Sequence, residues 1–403
     1  MTNMTRRTML TGAAAVAALG TSRRSLAQKY RDPGVTDTSI KIGTTMPFSG
    51  PASAYSVIGR SDIAYFDMVN ANGGINGRKV ELIALDDAYS PPKTVEAVRR
   101  LVEQEEVLFL FNNLGTAANS AVQKYINDRK IPHLFLTSGA SKWGRPKEFP
   151  WTIGWQPPYG AEAQIFAKHI LANVPSPKIA VLMQNDDFGK DYYEGFLKGL
   201  GGKDKIASFA SYEITDPTVD SQLVKLRSSD ANVLFNITSP KFAAQTIRRM
   251  AEVNWKPKHY LNGTVASLAV LKPAGLENCQ DIISAAYLKD PNDPQWASYP
   301  DYKEWRAWME KYNKSANVID ANAVYGYAVS YTMHKVLERC GDDLTRENIM
   351  RQATSLTNLA VPMLLPGITV KTSPDNYYPV KTEYLQAFKG ETWQLFGDAI
   401  ASD

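Results

Sequence analysis

Cysteine is almost absent from this 403-residue chain, which has two, and histidine is scarce, with four. Two thiols cannot build a four-thiolate zinc site, and His133, His169, His259 and His334 are too scattered for the spacing a zinc site needs. No metal ligand set and no cofactor motif is therefore expected. There is no G-x-S-x-G elbow, no H-E-x-x-H, no phosphate loop ending in Gly-Lys-Ser/Thr and no G-x-G-x-x-G. These gaps lower the prior for an enzyme. A one-signed charge field is missing too. Lys plus Arg exceeds Asp plus Glu by four, and Arg6, Arg7, Arg23 and Arg24 account for all of that excess. The rest of the chain is balanced, so nothing points to a nucleic-acid or anionic-membrane partner. No stretch reaches the ~20 apolar residues of a bilayer span. What is present is an ordinary globular mixture, 44% apolar and 21% charged, long enough for two or three domains.

The basic residues at the front have a use. Thr5-Arg6-Arg7-Thr8-Met9-Leu10 sets paired arginines before a short apolar run over residues 9–20, and Ser25-Leu26-Ala27 offers small residues for cleavage. Residues 1–27 are expected to be a signal peptide of the twin-arginine type, with the mature chain starting near Gln28 and exported to the periplasm. An oxidising compartment permits a Cys279–Cys340 disulfide. Two separate buried thiols are the equal alternative.

Short apolar runs then alternate with helical periodicity. Ile40-Lys41-Ile42-Gly43-Thr44, Val80-Glu81-Leu82-Ile83-Ala84-Leu85, Val107-Leu108-Phe109-Leu110-Phe111 and His133-Leu134-Phe135-Leu136 read as strands, the last two apolar enough for burial on both faces. Ile63, Phe66, Met68 and Val69 mark a helix that Asn72-Gly73-Gly74 should stop; Val95, Val98, Leu101 and Val102 mark a second, and Val122, Tyr125 and Ile126 a third. The pattern restarts with strands at Ile179-Ala180-Val181-Leu182-Met183, Val233-Leu234-Phe235-Asn236-Ile237, Tyr260-Leu261 and Ile282-Ile283-Ser284-Ala285. Helices are expected over 190–199 and from Ser239-Pro240. The proline- and tryptophan-rich stretch 146–158 reads as a domain crossing. The fold class is α/β, two doubly wound parallel-sheet lobes joined by several crossings.

In such sheets, ligands sit where strand carboxyl ends meet helix starts. Asn112-Asn113-Leu114-Gly115-Thr116 and Thr137-Ser138-Gly139-Ala140-Ser141 take those places in the first lobe. Asp186-Asp187-Phe188-Gly189 and Thr238-Ser239 take them in the second. Glycine and small hydroxyl residues leave backbone N–H groups accessible at a helix start, where the dipole favours an anion such as a carboxylate. Taken singly, each loop is better explained as capping and turning; two side by side on one lobe point toward a site. The pairs Asp86-Asp87 and Asp186-Asp187 could serve acid–base chemistry, though solvated loop acids are commoner at such positions.

Thr44-Thr45-Met46-Pro47-Phe48-Ser49-Gly50-Pro51 with Gly59, then Asn72-Gly73-Gly74-Ile75-Asn76-Gly77-Arg78, Leu85-Asp86-Asp87 and Asp186-Asp187-Phe188-Gly189, resemble in content and order the extracytoplasmic solute-binding proteins of the leucine/isoleucine/valine type. The resemblance implies a type I periplasmic binding protein, with two lobes and three hinge crossings. The N-terminal lobe would comprise 39–154 plus 290–366, the C-terminal lobe 155–289 plus 367–403. It implies a non-enzymatic monomer that closes on a small-molecule solute and delivers it to an inner-membrane ABC permease, without a cofactor.

Position by position, Thr116, Ser138 and Ala140 match the carboxylate-binding places of the family, with Asn113 and Gly139 in the same loops. Tyr55 matches an aromatic near the mouth, Phe188 a cleft tyrosine, and Ser239 falls near another. The acid that holds an ammonium in amino-acid members should fall within 262–267, around Thr264, where there is none. Tyr89 stands where the family has a cysteine. With Trp143, Trp155, Tyr159 and Trp255 expected near the cleft or hinge, the resemblance implies a hydrophobic or aromatic carboxylate as ligand. A branched-chain amino acid is the alternative, and an exported hydrolase using the aspartate pairs a more distant one.

Overall fold

The computed structural model describes residues 32–401, so the expected signal peptide lies outside the described residues. The first lobe opens with β1 (Ser39–Met46), α1 (Ser56–Ala71), β2 (Lys79–Asp86) and α2 (Pro91–Glu103). It continues with β3 (Leu110–Phe111), α3 (Thr116–Asp128), β4 (His133–Leu136) and β5 (Thr152–Gly154). Its five strands are all parallel, in the order β2-β1-β3-β4-β5. The helix marked by Ile63, Phe66 and Val69 does end before Gly73-Gly74. At Gly74 φ is 77°, and a Cβ would lie 2.2 Å from the Arg78 carbonyl oxygen, so only glycine permits the turn into β2. The run Val107–Phe111 forms a regular ladder only at its last two residues. A bend at Leu108 breaks it, although Leu108 N–H still donates to Lys41 O and Gly43 N–H to Phe109 O.

The second lobe has α4 (Tyr159–Asn173), β6 (Ile179–Gln184), α5 (Asp187–Leu200), β7 (Ile206–Tyr212), α6 (Asp220–Arg227), β8 (Val233–Ile237) and α7 (Pro240–Glu252). β9 (Lys258–Leu261), the short α8 (Leu268–Leu271) and β10 (Ile283–Ala286) follow. The parallel part runs β7-β6-β8-β9-β10, the same order as the first sheet. In both lobes the strand order therefore reverses beside the first strand, between β1 and β3 and between β6 and β8. At these switch points the flanking loops diverge and leave a crevice.

The chain then returns to the first lobe as α9 (Pro300–Tyr312), α10 (Ala321–Cys340) and α11 (Arg346–Ala353), whose Trp305, Trp308, Val329, Met333 and Ile349 join the core of β1 and α1. It crosses a third time to add β11 (Thr382–Lys389) and β12 (Thr392–Ala401), a hairpin antiparallel to β10. The purely parallel expectation misses this pair. A two-residue turn with Gly390 at φ 61° makes antiparallel return possible without a crossover helix. Cys279 and Cys340 are free thiols buried in separate core clusters, the second of the two alternatives.

Candidate ligand-binding cleft

The two switch points face one another across a cavity of about 130 Å³. On the first-lobe side, Gly115 turns the chain at φ 104° into α3, and no side chain caps the first turn of that helix. A Cβ at Gly115 would stand 3.0 Å from the Tyr89 ring, so glycine here also lets that ring close over the helix start. The open amino end presents its N–H groups and positive dipole to the cavity. Thr116 adds a hydroxyl, fixed at 2.7 Å from Ser138 Oγ, which in turn accepts from Trp143 Nε1 at 2.9 Å.

Seven aromatic rings contribute to the wall: Tyr55, Tyr89, Tyr159, Phe188, Tyr287, Tyr325 and Trp393. Tyr159 meets Phe188 edge-on at 5.3 Å and stacks on Tyr192 at 4.5 Å, which holds the rings in place behind the surface they offer. Tyr55 Oη donates to Thr264 Oγ1 at 3.5 Å, joining the lobes across the mouth. Burial pushes the Tyr55 and Tyr159 phenols above their ordinary range, so both stay neutral donors.

Of the residues singled out from the sequence, Tyr55, Thr116, Phe188, Ser239 and Thr264 line the cavity. Asn113, Ser138, Gly139 and Ala140 do not; they form the layer behind. Asn113 points back into the sheet, its Nδ2 donating to Thr45 Oγ1 at 2.9 Å. Ser138 reaches the cavity through its bonds to Thr116 and Tyr159. Gly139 lies against the first crossing: its carbonyl accepts from Tyr159 N–H, and a Cβ there would meet Pro157 O at 2.4 Å. Ala140 starts the short turn that carries Trp143 into the core. Of Trp143, Trp155, Tyr159 and Trp255, only Tyr159 is in the wall. Trp155 donates to Thr332 Oγ1 in the first-lobe core, and Trp255 sits in the second lobe beyond α7.

Acids reach the cleft from outside the segment where the family resemblance places one. Residues 262–267 carry none, yet Glu162, Asp290 and Glu383 all line the cavity. Glu162 reaches in from α4, accepting from Gly263 N–H at 2.8 Å and from Tyr192 Oη at 3.1 Å. Burial lifts its carboxyl to about 7, against those two hydrogen bonds. Glu383 is pushed well above the usual range by burial and then by Glu162 nearby. Asp290 is raised by burial as well. All three are thus biased toward the neutral form, which lets an anion enter. Lys289, the sole cation in the lining, is engaged with Asp301. Glu162 lies just beyond the flagged crossing and could have been suspected; Glu383 and Trp393 arrive on the terminal hairpin, which has no local mark of a site.

The aspartate pairs have other work. Asp86 accepts from Ser49 Oγ and the amides of Ser49 and Ala88, and Asp87 from Tyr89 N–H and Thr94 Oγ1. Asp186 caps α5 through the amides of Phe188 and Gly189. None of these three lines the cavity, and neither does Asp187. Among the described residues there is no group of acids, cysteines and histidines able to hold a metal ion, and no helix is long and apolar enough to cross a membrane.

Comparison with known proteins agrees with this architecture. The chain is 25% identical over 201 residues to the Leu/Ile/Val-binding protein homolog 3 of Brucella melitensis, covering 49% of this chain and 53% of that protein. It therefore spans about half the length of that relative. A branched chain amino acid ABC transporter protein from Thermus thermophilus with bound valine superposes with a TM-score of 0.82 at 14% identity, over 91% of this chain and 98% of that one. A solute binding protein of an ABC transporter from R. palustris, in complex with benzoate, superposes at 0.76 and 20% identity over 91% and 98% of the two chains. At these identities the superpositions establish the fold. The model of the periplasmic binding protein family matches residues 39–381, nearly the whole described chain, and this protein belongs to that family.

Proposed function

We propose that the protein is the periplasmic capture component of an ABC importer, binding a small hydrophobic or aromatic carboxylate between its lobes. The carrying observation is the uncapped start of α3 at Gly115-Thr116, opening on an aromatic-walled cavity. The helix start answers the carboxylate, and the rings answer a flat apolar body. Size narrows the class. At about 130 Å³ the cavity is close to the ~150 Å³ of an engineered apolar cavity that takes benzene, so one ring fits and a long acyl chain does not. Membership of the family supports delivery to an inner-membrane permease and residence in the periplasm. The relatives that carry valine and benzoate support a carboxylate as the shared feature.

A branched-chain amino acid is the second reading, favoured by the carboxyls in the lining. Thermal shift against benzoate, phenylacetate, valine and leucine separates the two. A ligand at 100 times its Kd stabilises by about 2.7 kcal/mol. Stabilisation by the ring acids alone supports the first reading, and stabilisation by the amino acids alone replaces it with the second.

A further inference from the structure

Glu383 is the lining carboxyl that the fold leaves unanswered. It is only 3% exposed, it borders the cavity, and neither oxygen has a hydrogen-bond partner among the described residues. Glu162 differs. Both oxygens of Glu162 are taken, by Gly263 N–H and Tyr192 Oη. Asp290 has one oxygen held by Asn292, while its Oδ2 is buried away from the cavity solvent without a partner. The Glu383 oxygens remain open to the cavity, so the partners that the protein does not supply must come from what occupies it.

The backbone also presents this residue deliberately. The β11–β12 ladder is regular from Leu385 onward but shifts between Glu383 and Leu385, an irregularity of the kind that re-aims a side chain beside a site. Glu383 belongs to the second lobe, whereas the open start of α3 belongs to the first. A ligand whose carboxylate lies on α3 therefore has its other end turned toward the lobe that carries Glu383.

We propose that Glu383 forms a distal subsite that accepts a hydrogen bond from an O–H or N–H group at the end of the ligand opposite its carboxylate. The solute is then a ring-sized acid bearing a distal donor, and not an unsubstituted one. This rests on the carboxylate reading above. A site built to hydrogen-bond a ligand group discriminates strongly against the analogue lacking it, because the protein partner is stranded when that group is absent. Hydroxyl and amine share this chemistry, and the test tells them apart.

Calorimetric titration of the mature protein with benzoate, 4-hydroxybenzoate and 4-(aminomethyl)benzoate decides it. At least one donor-bearing acid should bind about tenfold or more tightly than benzoate. In Glu383→Leu that preference should collapse to about twofold or less. Glu383→Gln keeps an acceptor oxygen, so it should retain a preference for the hydroxyl and lose one for the ammonium. Difference infrared spectra give a second reading that does not need the leucine variant to fold: the carboxyl band of Glu383, identified by its loss in Glu383→Gln, should shift with the donor-bearing acid and not with benzoate. Equal binding of all three acids, a preference that survives Glu383→Leu, or an unmoved band overturns the subsite alone. Binding of valine or leucine with no ring acid bound overturns the ring-acid reading on which the subsite rests, and the subsite with it.

Discussion

Asp187, the first residue of α5 in the second lobe, accepts from Lys142 Nζ of the first lobe at 2.7 Å and from Ser120 Oγ, one turn into α3, at 2.8 Å. One carboxylate thus ties the two helix starts that flank the cleft. Against its partial burial, Lys142 and Ser120 hold the carboxyl below the usual range, so it is charged wherever the protein works. Both partners are partly exposed, which limits the pair to about 1 kcal/mol. Asp187→Asn should weaken ligand binding by about fivefold, with a smaller difference at high salt. Scattering should show a larger radius of gyration for the unliganded variant. An unchanged radius and affinity would mean that the contact does not hold the lobes together.

Thr116 and Ser138 should separate in their effects. Thr116→Val deletes the hydroxyl that faces the cavity, and should lower affinity about tenfold with little loss of stability. Ser138→Ala strands the Trp143 indole N–H, buried beneath the loop, and should cost about 1–2 kcal/mol of stability. Its effect on affinity should be smaller, since it reaches the ligand only by orienting Thr116 and Tyr159. Titration and denaturant melts of the two variants give both readings.

Stability should fall as pH rises through the range where Glu162 titrates. Its carboxyl is raised by burial from about 4.5 to about 7. The folded state then binds more protons than the unfolded chain between those values, so stability decreases with pH in that window. Below about 4.5 the penalty is absent; above about 7 it is complete, at roughly 3 kcal/mol for this group. Glu383 shifts in the same direction, and Glu383→Gln should flatten the profile by removing the charge that burial and Glu162 oppose. Melting of the unliganded protein at pH 5, 6.5 and 8 checks the sign, and a rise in melting temperature across that series would refute it.

Gly139→Ala should damage the hinge. Its methyl would lie 2.4 Å from Pro157 O and 2.7 Å from the Tyr159 ring, a backbone contact and a stacked ring that cannot both step aside. Overpacking of this kind costs about 1–3 kcal/mol. A melt within experimental error of the wild type would show that the crossing has more room than these contacts allow.

Much of this was legible in the chain because it rests on local chemistry. Apolar runs, helical spacing and Gly73-Gly74 placed β1, β2, β4, α1 and α2 where they stand, and the start of α3 was visible in Asn112-Asn113-Leu114-Gly115-Thr116. The loop after β4 was found, but its depth was not. Whether Ser138 or Thr116 meets the ligand depends on which of two hydrogen-bonded hydroxyls is nearer the opposite lobe, and no spacing rule carries that. Trp155 reads as a residue near the cleft or hinge, with core packing the better reading of it singly; only the fold shows which core, through Thr332 and Tyr325 of α10, more than a hundred positions away.

Alternating strands and helices, the turn residues between them and an open helix start are written in neighbouring side chains, and each residue's own backbone preferences bring them about. The acidic character of the cleft was decided elsewhere. Glu162, Asp290 and Glu383 come from three crossings of one chain between two sheets, and they meet only because the lobes repeat one strand order and face their switch points inward. Burial in that shared space shifts their protons, and burial is a property of the packed molecule that no segment possesses alone.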